Sequence, residues 1–112
     1  MGEKICEYGL GLCLSGGGFR ASFYHIGVLA RMAELGMLKH VEVISTVSGG
    51  SIVGAAYYLL LKRLLESKPD KAAGTGGAAI DDSDYVTLVE ELGAHFYRPY
   101  RKICVCAHSL IH

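Results

Sequence analysis

Residues 45–51 read Ser-Thr-Val-Ser-Gly-Gly-Ser, and this stretch decides how the chain around it folds. A β-branched run leads into it and predicts a strand over 41–46. An apolar pattern follows and predicts a helix over about 50–65, apolar on nearly all sides in its first turns. A serine at a tight turn between a strand and a helix is the geometry of a nucleophile elbow. We therefore predict that Ser48 is a nucleophile.

Small residues surround this serine, as an elbow requires where strand and helix backbones nearly touch. Thr46, Gly49 and Gly50 are the residues that we expect to support the turn. The stretch is an imperfect Gly-x-Ser-x-Gly motif, because Thr46 takes the place of the first glycine. The elbow alone is therefore a weak signal.

A second strand-to-helix junction lies about 30 residues upstream. The apolar run at 8–14 predicts a buried strand, in which Cys13 is expected to be a buried free thiol. A helical pattern extends over 19–35, and Gly36 is placed to end that helix. Two strands joined by a helix are expected to be parallel, so both junctions would lie at one edge of the sheet.

The loop at the upstream junction contains three successive glycines, Gly16, Gly17 and Gly18. Such a loop can turn backbone N–H groups toward one point and bind an oxyanion or a phosphate. Arg20 adds a positive charge where the helix dipole disfavours one, which points to a bound anion. An oxyanion loop beside a nucleophilic serine predicts acyl transfer, with Ser48 attacking a carbonyl carbon.

Downstream of these junctions the sequence carries less chemistry. Pro69 is expected to end the second helix, and residues 70–80 form a surface loop. Aspartates at 81–84 predict an N-cap for a third helix over about 85–97, which Pro99 would end. The tail at 103–112 carries no assignable pattern.

Composition narrows the classes of function. Eleven basic and eleven acidic residues balance, so a nucleic-acid partner is not expected. The four cysteines lack paired Cys-x-x-Cys spacing, and no metal or other cofactor is predicted. The longest apolar run has ten residues, and no apolar segment typical of a signal peptide precedes a cleavage site. We expect a cytoplasmic protein that allows peripheral contact with a membrane.

The motifs allow two other interpretations. A Ser-Asp-His triad is formally available from Ser48, an aspartate at 81 or 82, and His95 or His108. The segment Gly-Gly-Gly-Phe-Arg-Ala at 16–21 also fits the dinucleotide pattern Gly-x-Gly-x-x-Gly/Ala. That reading needs an acidic residue at the end of the second strand, where Thr46 and Ser48 stand instead.

The paired motifs, Gly-Leu-Cys-Leu-Ser-Gly-Gly-Gly-Phe-Arg-Ala at 11–21 and Ile-Ser-Thr-Val-Ser-Gly-Gly-Ser at 44–51, resemble the opening of patatin-like phospholipases. The resemblance covers about residues 8–65. It implies a three-layer α/β fold with a parallel sheet, of which residues 1–112 would be a partial domain with β-α-β-α order and one further helix. Ser15 stands where many members carry Asp, and Thr46 where many carry Gly.

The resemblance also implies an activity and roles for individual residues. The chain would be a lipid acyl hydrolase acting on a lipid or phospholipid, with Ser48 as nucleophile and the glycine loop with Arg20 as oxyanion site. The family's base is an Asp in an Asp-Gly-Gly or Asp-Gly-Ala motif, and this sequence contains no Asp-Gly dipeptide. The expected base is therefore missing from these 112 residues, and a catalytically inactive fragment is the alternative.

Overall fold

The computed structural model of the chain describes residues 9–67 and 80–111, which form two strands and three main helices. In chain order the elements are β1 (Leu10–Leu14), α1 (Gly18–Glu34), a short 3-10 helix (Leu38–His40), β2 (Val41–Thr46), α2 (Gly49–Ser67) and α3 (Asp82–Ile111). The predicted element order is confirmed, and the predicted bounds of β2 are those observed. Pro69 and most of the predicted surface loop at 70–80 lie outside the described residues.

The two strands are hydrogen-bonded in parallel, as predicted for strands joined by a helix. Leu12 is opposite Ile44 and Leu14 is opposite Thr46 in the register. These four side chains are half-buried or buried, whereas Gly11, Cys13, Val43 and Ser45, on the alternate positions, are exposed. One face of the sheet is therefore covered within the described part of the chain, and the other is open.

The prediction that Cys13 is buried is wrong, because the alternation of side chains along β1 places its thiol on the open face. The apolar run at 8–14 predicts a strand covered on both faces. Among the described residues, only the face that carries Leu12 and Leu14 packs against buried side chains.

Helix α1 ends at a glycine, as predicted. Gly36 has φ of 68°, in the left-handed region that glycine enters without strain. Its N–H donates to the Ala33 carbonyl at 3.1 Å, and the Met37 N–H donates to the Met32 carbonyl at 2.9 Å. This pair of bonds is the Schellman motif, and it turns the chain toward β2.

The core lies where the three helices pack together. Its fully or nearly fully buried members are Leu14, Leu29, Ala33, Leu38, Val53, Tyr57, Leu88, Val89 and Leu92. Helix α2 contributes one stripe of residues to this core, while Ile52, Tyr58 and Leu59 are more than half exposed. The first turns of α2 are apolar on nearly all sides, as the sequence shows, but the described residues cover only one of those sides.

Helix α3 begins at Asp82, a little earlier than predicted, and ends at Ile111, later than predicted. The Asp81 N–H donates to the Asp84 carboxylate at 2.9 Å, which satisfies one backbone donor at the helix start. Pro99 lies inside the helix, which continues to Ile111, so the prediction that it ends α3 is wrong. One proline costs about 3 kcal/mol in a helix interior. The unassigned tail at 103–112 is helical through Ile111.

Candidate active site

Both junctions lie at the carboxyl edge of the sheet. β1 ends at Leu14 and β2 ends at Thr46, and these two residues are opposite each other in the parallel register. The Val47 N–H donates to the Leu14 carbonyl at 3.0 Å, which ties the start of the elbow to the start of the glycine loop. In open α/β sheets this edge is where ligands bind.

Ser48 has the backbone conformation of an elbow. Its φ is 50°, and no other non-glycine residue among those described has a positive φ. Such a conformation costs about 1–3 kcal/mol and persists only where the surroundings impose it. Its carbonyl accepts the Ser51 N–H at 2.8 Å and the Val47 carbonyl accepts the Gly50 N–H at 3.0 Å, which begins α2 at once. The Ser48 side chain is exposed at the end of this turn.

The two glycines after Ser48 are required by close approach of backbones. A Cβ on Gly49 would overlap the Gly18 carbonyl, and a Cβ on Gly50 would overlap the Leu14 carbonyl and lie 2.7 Å from the Ser15 oxygen. The first turn of α2 is therefore pressed against the glycine loop. Thr46 supports the same packing, because its methyl carbon lies against Gly54 of α2.

The glycine loop lies directly against the serine. A Cβ on Gly16 would be 3.1 Å from the Ser48 Cβ, which is a tight contact, so the loop and the elbow are closely packed there. Gly17 and Gly18 both have positive φ, 141° and 65°. Within the described part of the chain, no backbone carbonyl accepts the N–H of Gly16 or Gly17. Unpaired N–H groups in such a loop are what an anion nest needs.

The electrostatic field at this edge is positive. The N-termini of α1 and α2 meet there, and each carries the positive end of a helix dipole. Residues 15–23 and 46–55 contain a single charged side chain, Arg20. Arg20 is exposed, and it has no salt bridge with the side chains that the structure describes, those of residues 9–67 and 80–99. The arrangement favours an anion or a developing oxyanion near Ser48.

Two residues of α1 that the sequence patterns did not single out hold this loop. Ser22 is 1% exposed, and its hydroxyl lies 2.9 Å from the Gly49 carbonyl and 3.2 Å from the Gly18 carbonyl. His25 is 6% exposed, and its Nε2 lies 2.8 Å from the Ser15 carbonyl. Both interrupt the otherwise apolar buried stripe of α1 that continues through Leu29 and Ala33. Polar residues on a buried helical stripe were the signal available in the sequence.

The acidic residues considered for a triad lie at the opposite edge of the sheet. Asp82 forms a salt bridge with Lys39 at 3.2 Å, and Lys39 precedes β2 whereas Ser48 follows it. The six residues of β2 span about 16 Å at 3.3 Å per residue step. His95 donates from Nδ1 to the Glu91 carbonyl of its own helix at 2.9 Å. The structure therefore does not bring this triad together; Asp70 lies outside the described residues, and so does the side chain of His108.

Other chemistries find no support in the described residues. No group of three or more His, Cys, Asp or Glu side chains is placed there to hold a metal ion. Glu42 lies beside Gly9 at the amino edge of the sheet, so it cannot serve a dinucleotide ribose at the carboxyl edge. No described helix is both long enough and apolar enough to span a bilayer.

The fold and the site together define a class: an α/β protein with a serine at a strand-to-helix elbow beside a glycine-rich loop. The sequence model of the patatin-like phospholipase family matches residues 12–68, just over half of the chain and both junctions. The chain belongs to the patatin-like phospholipase family, which confirms the resemblance carried by the two motifs. No curated protein and no solved structure gives a significant match.

Proposed function

We propose that the protein is a lipid acyl hydrolase in which Ser48 is the nucleophile and Gly16, Gly17 and Gly18 form the oxyanion site. The observation that carries the proposal is the contact between the loop and the elbow, in which Gly16 packs against the Ser48 Cβ. An exposed hydroxyl at a positive-φ turn and unpaired loop N–H groups lie side by side. Membership of the patatin-like phospholipase family supports an ester bond of a lipid as the substrate.

The reaction would proceed through an acyl-enzyme. The Ser48 Oγ attacks the ester carbonyl carbon, and the carbonyl oxygen takes the electron pair and becomes an oxyanion. Loop N–H groups stabilise that oxyanion, and a single such donor is worth about 3–4 kcal/mol of barrier. Collapse of the intermediate breaks the bond between the carbonyl carbon and the alcohol oxygen, and the leaving alcohol takes the proton that was removed from Ser48. Water then hydrolyses the acyl–Ser48 ester. Arg20 adds positive charge near the oxyanion and is proposed to serve the same site.

The proton of Ser48 needs an acceptor, and the described residues place no carboxylate beside it. The aspartates at 81–84 cap α3 at the far edge of the sheet. We propose that the base is an aspartate from a part of the enzyme outside the described residues. For residues 1–112 by themselves we expect slow acylation and little steady-state hydrolysis, since the oxyanion site and binding alone retain part of the catalysis.

Acyl transfer from a p-nitrophenyl ester tests the proposal. Attack by Ser48 releases p-nitrophenolate and leaves an acyl group on the serine, which intact mass spectrometry detects. Ser48→Ala should abolish acylation, and Ser51→Ala, which removes a neighbouring hydroxyl three residues along the chain, should retain it. Acylation that survives in Ser48→Ala would refute the nucleophile, and no acylation of the wild type would favour the inactive alternative.

The family's three-layer fold is part of the same proposal. The open face of the sheet, formed by Gly11, Cys13, Val43 and Ser45, is the surface that a second layer of helices would cover. Val43 is 64% exposed on this face. Peripheral contact of the site with a lipid surface fits the proposed substrate.

A further inference from the structure

His25 is the buried titratable residue closest to the glycine loop. It lies on α1, and its ring nitrogen Nε2 is 2.8 Å from the Ser15 carbonyl oxygen and 3.5 Å from the Ser15 hydroxyl. A carbonyl oxygen only accepts hydrogen bonds, so Nε2 carries the hydrogen and donates it to Ser15. An unpartnered imidazole at 6% exposure would be costly, and this bond compensates its burial.

The Ser15 carbonyl and the Gly16 N–H belong to one peptide unit. The unit is planar and trans, so these two groups point in opposite directions. A bond that holds the carbonyl toward the buried face of α1 therefore holds the Gly16 N–H away from α1. Gly16 is the loop residue that packs against Ser48, since a Cβ built on Gly16 would lie 3.1 Å from the Ser48 Cβ.

The other end of the loop is held by a different side chain. Ser22 reaches the carbonyls of Gly18 and Gly49, which fixes the loop's exit against the first turn of α2. The Ser15–Gly16 plane turns about ψ of Ser15 and φ of Gly16, and glycine accepts φ of either sign. Between Ser15 and Gly18, the His25 bond is thus the side-chain contact that selects the orientation of the first plane.

We propose that His25 is a positioning residue that aims the Gly16 N–H at the oxyanion formed on Ser48. This inference rests on the proposed function and adds to it the residue that orients one oxyanion donor. Without the His25 donor, the Ser15 carbonyl loses this hydrogen bond, and a rotated Ser15–Gly16 plane would present a carbonyl oxygen to the oxyanion. That orientation repels the developing negative charge instead of stabilising it.

Phosphonylation of Ser48 by a fluorophosphonate probe measures the effect. The Ser48 Oγ attacks phosphorus, fluoride leaves, the serine proton goes to solvent, and the phosphonyl oxygen occupies the oxyanion site. His25→Leu removes the donor, and we expect labelling of Ser48 to slow by about 10- to 100-fold. The upper value is about what the loss of one oxyanion donor costs. His25→Gln places an amide N–H at similar reach and should recover the wild-type rate within about threefold.

A second histidine provides a matched control. His95 also donates from its ring to a backbone carbonyl, on α3 and away from the site. His95→Leu should leave the labelling rate within about twofold of wild type, because distant sites act independently. Phosphorus NMR of the adduct adds a readout that loss of stability does not move, since its shift reports hydrogen bonds to the phosphonyl oxygen.

The outcomes separate this inference from the proposed function. Labelling of folded His25→Leu at the wild-type rate, with an unchanged phosphorus shift, would overturn the positioning role and leave the nucleophile intact. If His25→Leu does not fold, His25→Asn replaces it, and its shorter amide should label about tenfold more slowly than His25→Gln; equal rates would overturn the proposal. Wild-type protein that shows no label on Ser48 would refute the proposed function itself.

Discussion

The elbow's dependence on glycine leads to a quantitative prediction at Gly50. Replacing it with alanine adds a Cβ that would lie 2.7 Å from both the Leu14 carbonyl carbon and the Ser15 oxygen. These are backbone atoms, and the Leu14 carbonyl is also held by the Val47 N–H. Overpacking of this kind costs about 3 kcal/mol where the neighbours cannot move. Alanine regains about 1 kcal/mol of helix propensity, so the free energy of unfolding should fall by about 2 kcal/mol.

The matched control for this substitution is Gly27→Ala. Gly27 is an exposed residue in the middle of α1, and nothing lies within 4 Å of the position of its Cβ. Alanine should therefore stabilise the chain there by about 1 kcal/mol. Urea unfolding followed by circular dichroism should separate the two variants by about 3 kcal/mol at unchanged m. Equal midpoints for Gly50→Ala and Gly27→Ala would refute the close backbone approach at the elbow.

Two further predictions concern a charge and a buried hydroxyl. Arg20→Gln should slow labelling of Ser48 by about tenfold and leave the melting temperature unchanged, because Arg20 is exposed. The control Arg31→Gln, at the other end of α1, should change neither the labelling rate nor the melting temperature. A lowered melting temperature with normal labelling in Arg20→Gln would show that Arg20 is structural. Burial and nearby Tyr85 raise the pKa of Tyr57, whose hydroxyl has no partner among the described residues. A raised folded-state pKa gives stability that is present below about pH 10 and lost above it. Tyr57→Phe should raise the free energy of unfolding at neutral pH by about 1 kcal/mol, measured by urea unfolding, and should reduce the loss of stability above about pH 10. An identical alkaline loss of stability in Tyr57→Phe would contradict this.

Local sequence signals predicted the elements that position the site. The bounds of β2, the C-terminal glycine of α1 and the N-cap of α3 follow from short-range chemistry, which the sequence displays directly. The junctions at Gly16 and Ser48 were predicted because each needs small residues at fixed spacing. Their contact in space follows from parallel pairing of β1 and β2.

Features that depend on tertiary surroundings were not predictable in this way. Cys13 lies in an apolar run, and only the arrangement of helices decides which face of β1 is covered. Pro99 is a strong local stop signal, yet helix α3 continues past it. Ser22 and His25 have no motif of their own, and their roles depend on carbonyls that become neighbours only after folding.

The direct test of the account is the site of covalent attachment of a fluorophosphonate probe, mapped by peptide mass spectrometry. Ser48 is exposed at an elbow whose φ is 50°, beside the glycine loop. We predict that the phosphonyl group is on Ser48 and that Ser48→Ala is not labelled. A label on Ser15 or Ser51 instead, or labelling of Ser48→Ala at the wild-type level, would contradict it.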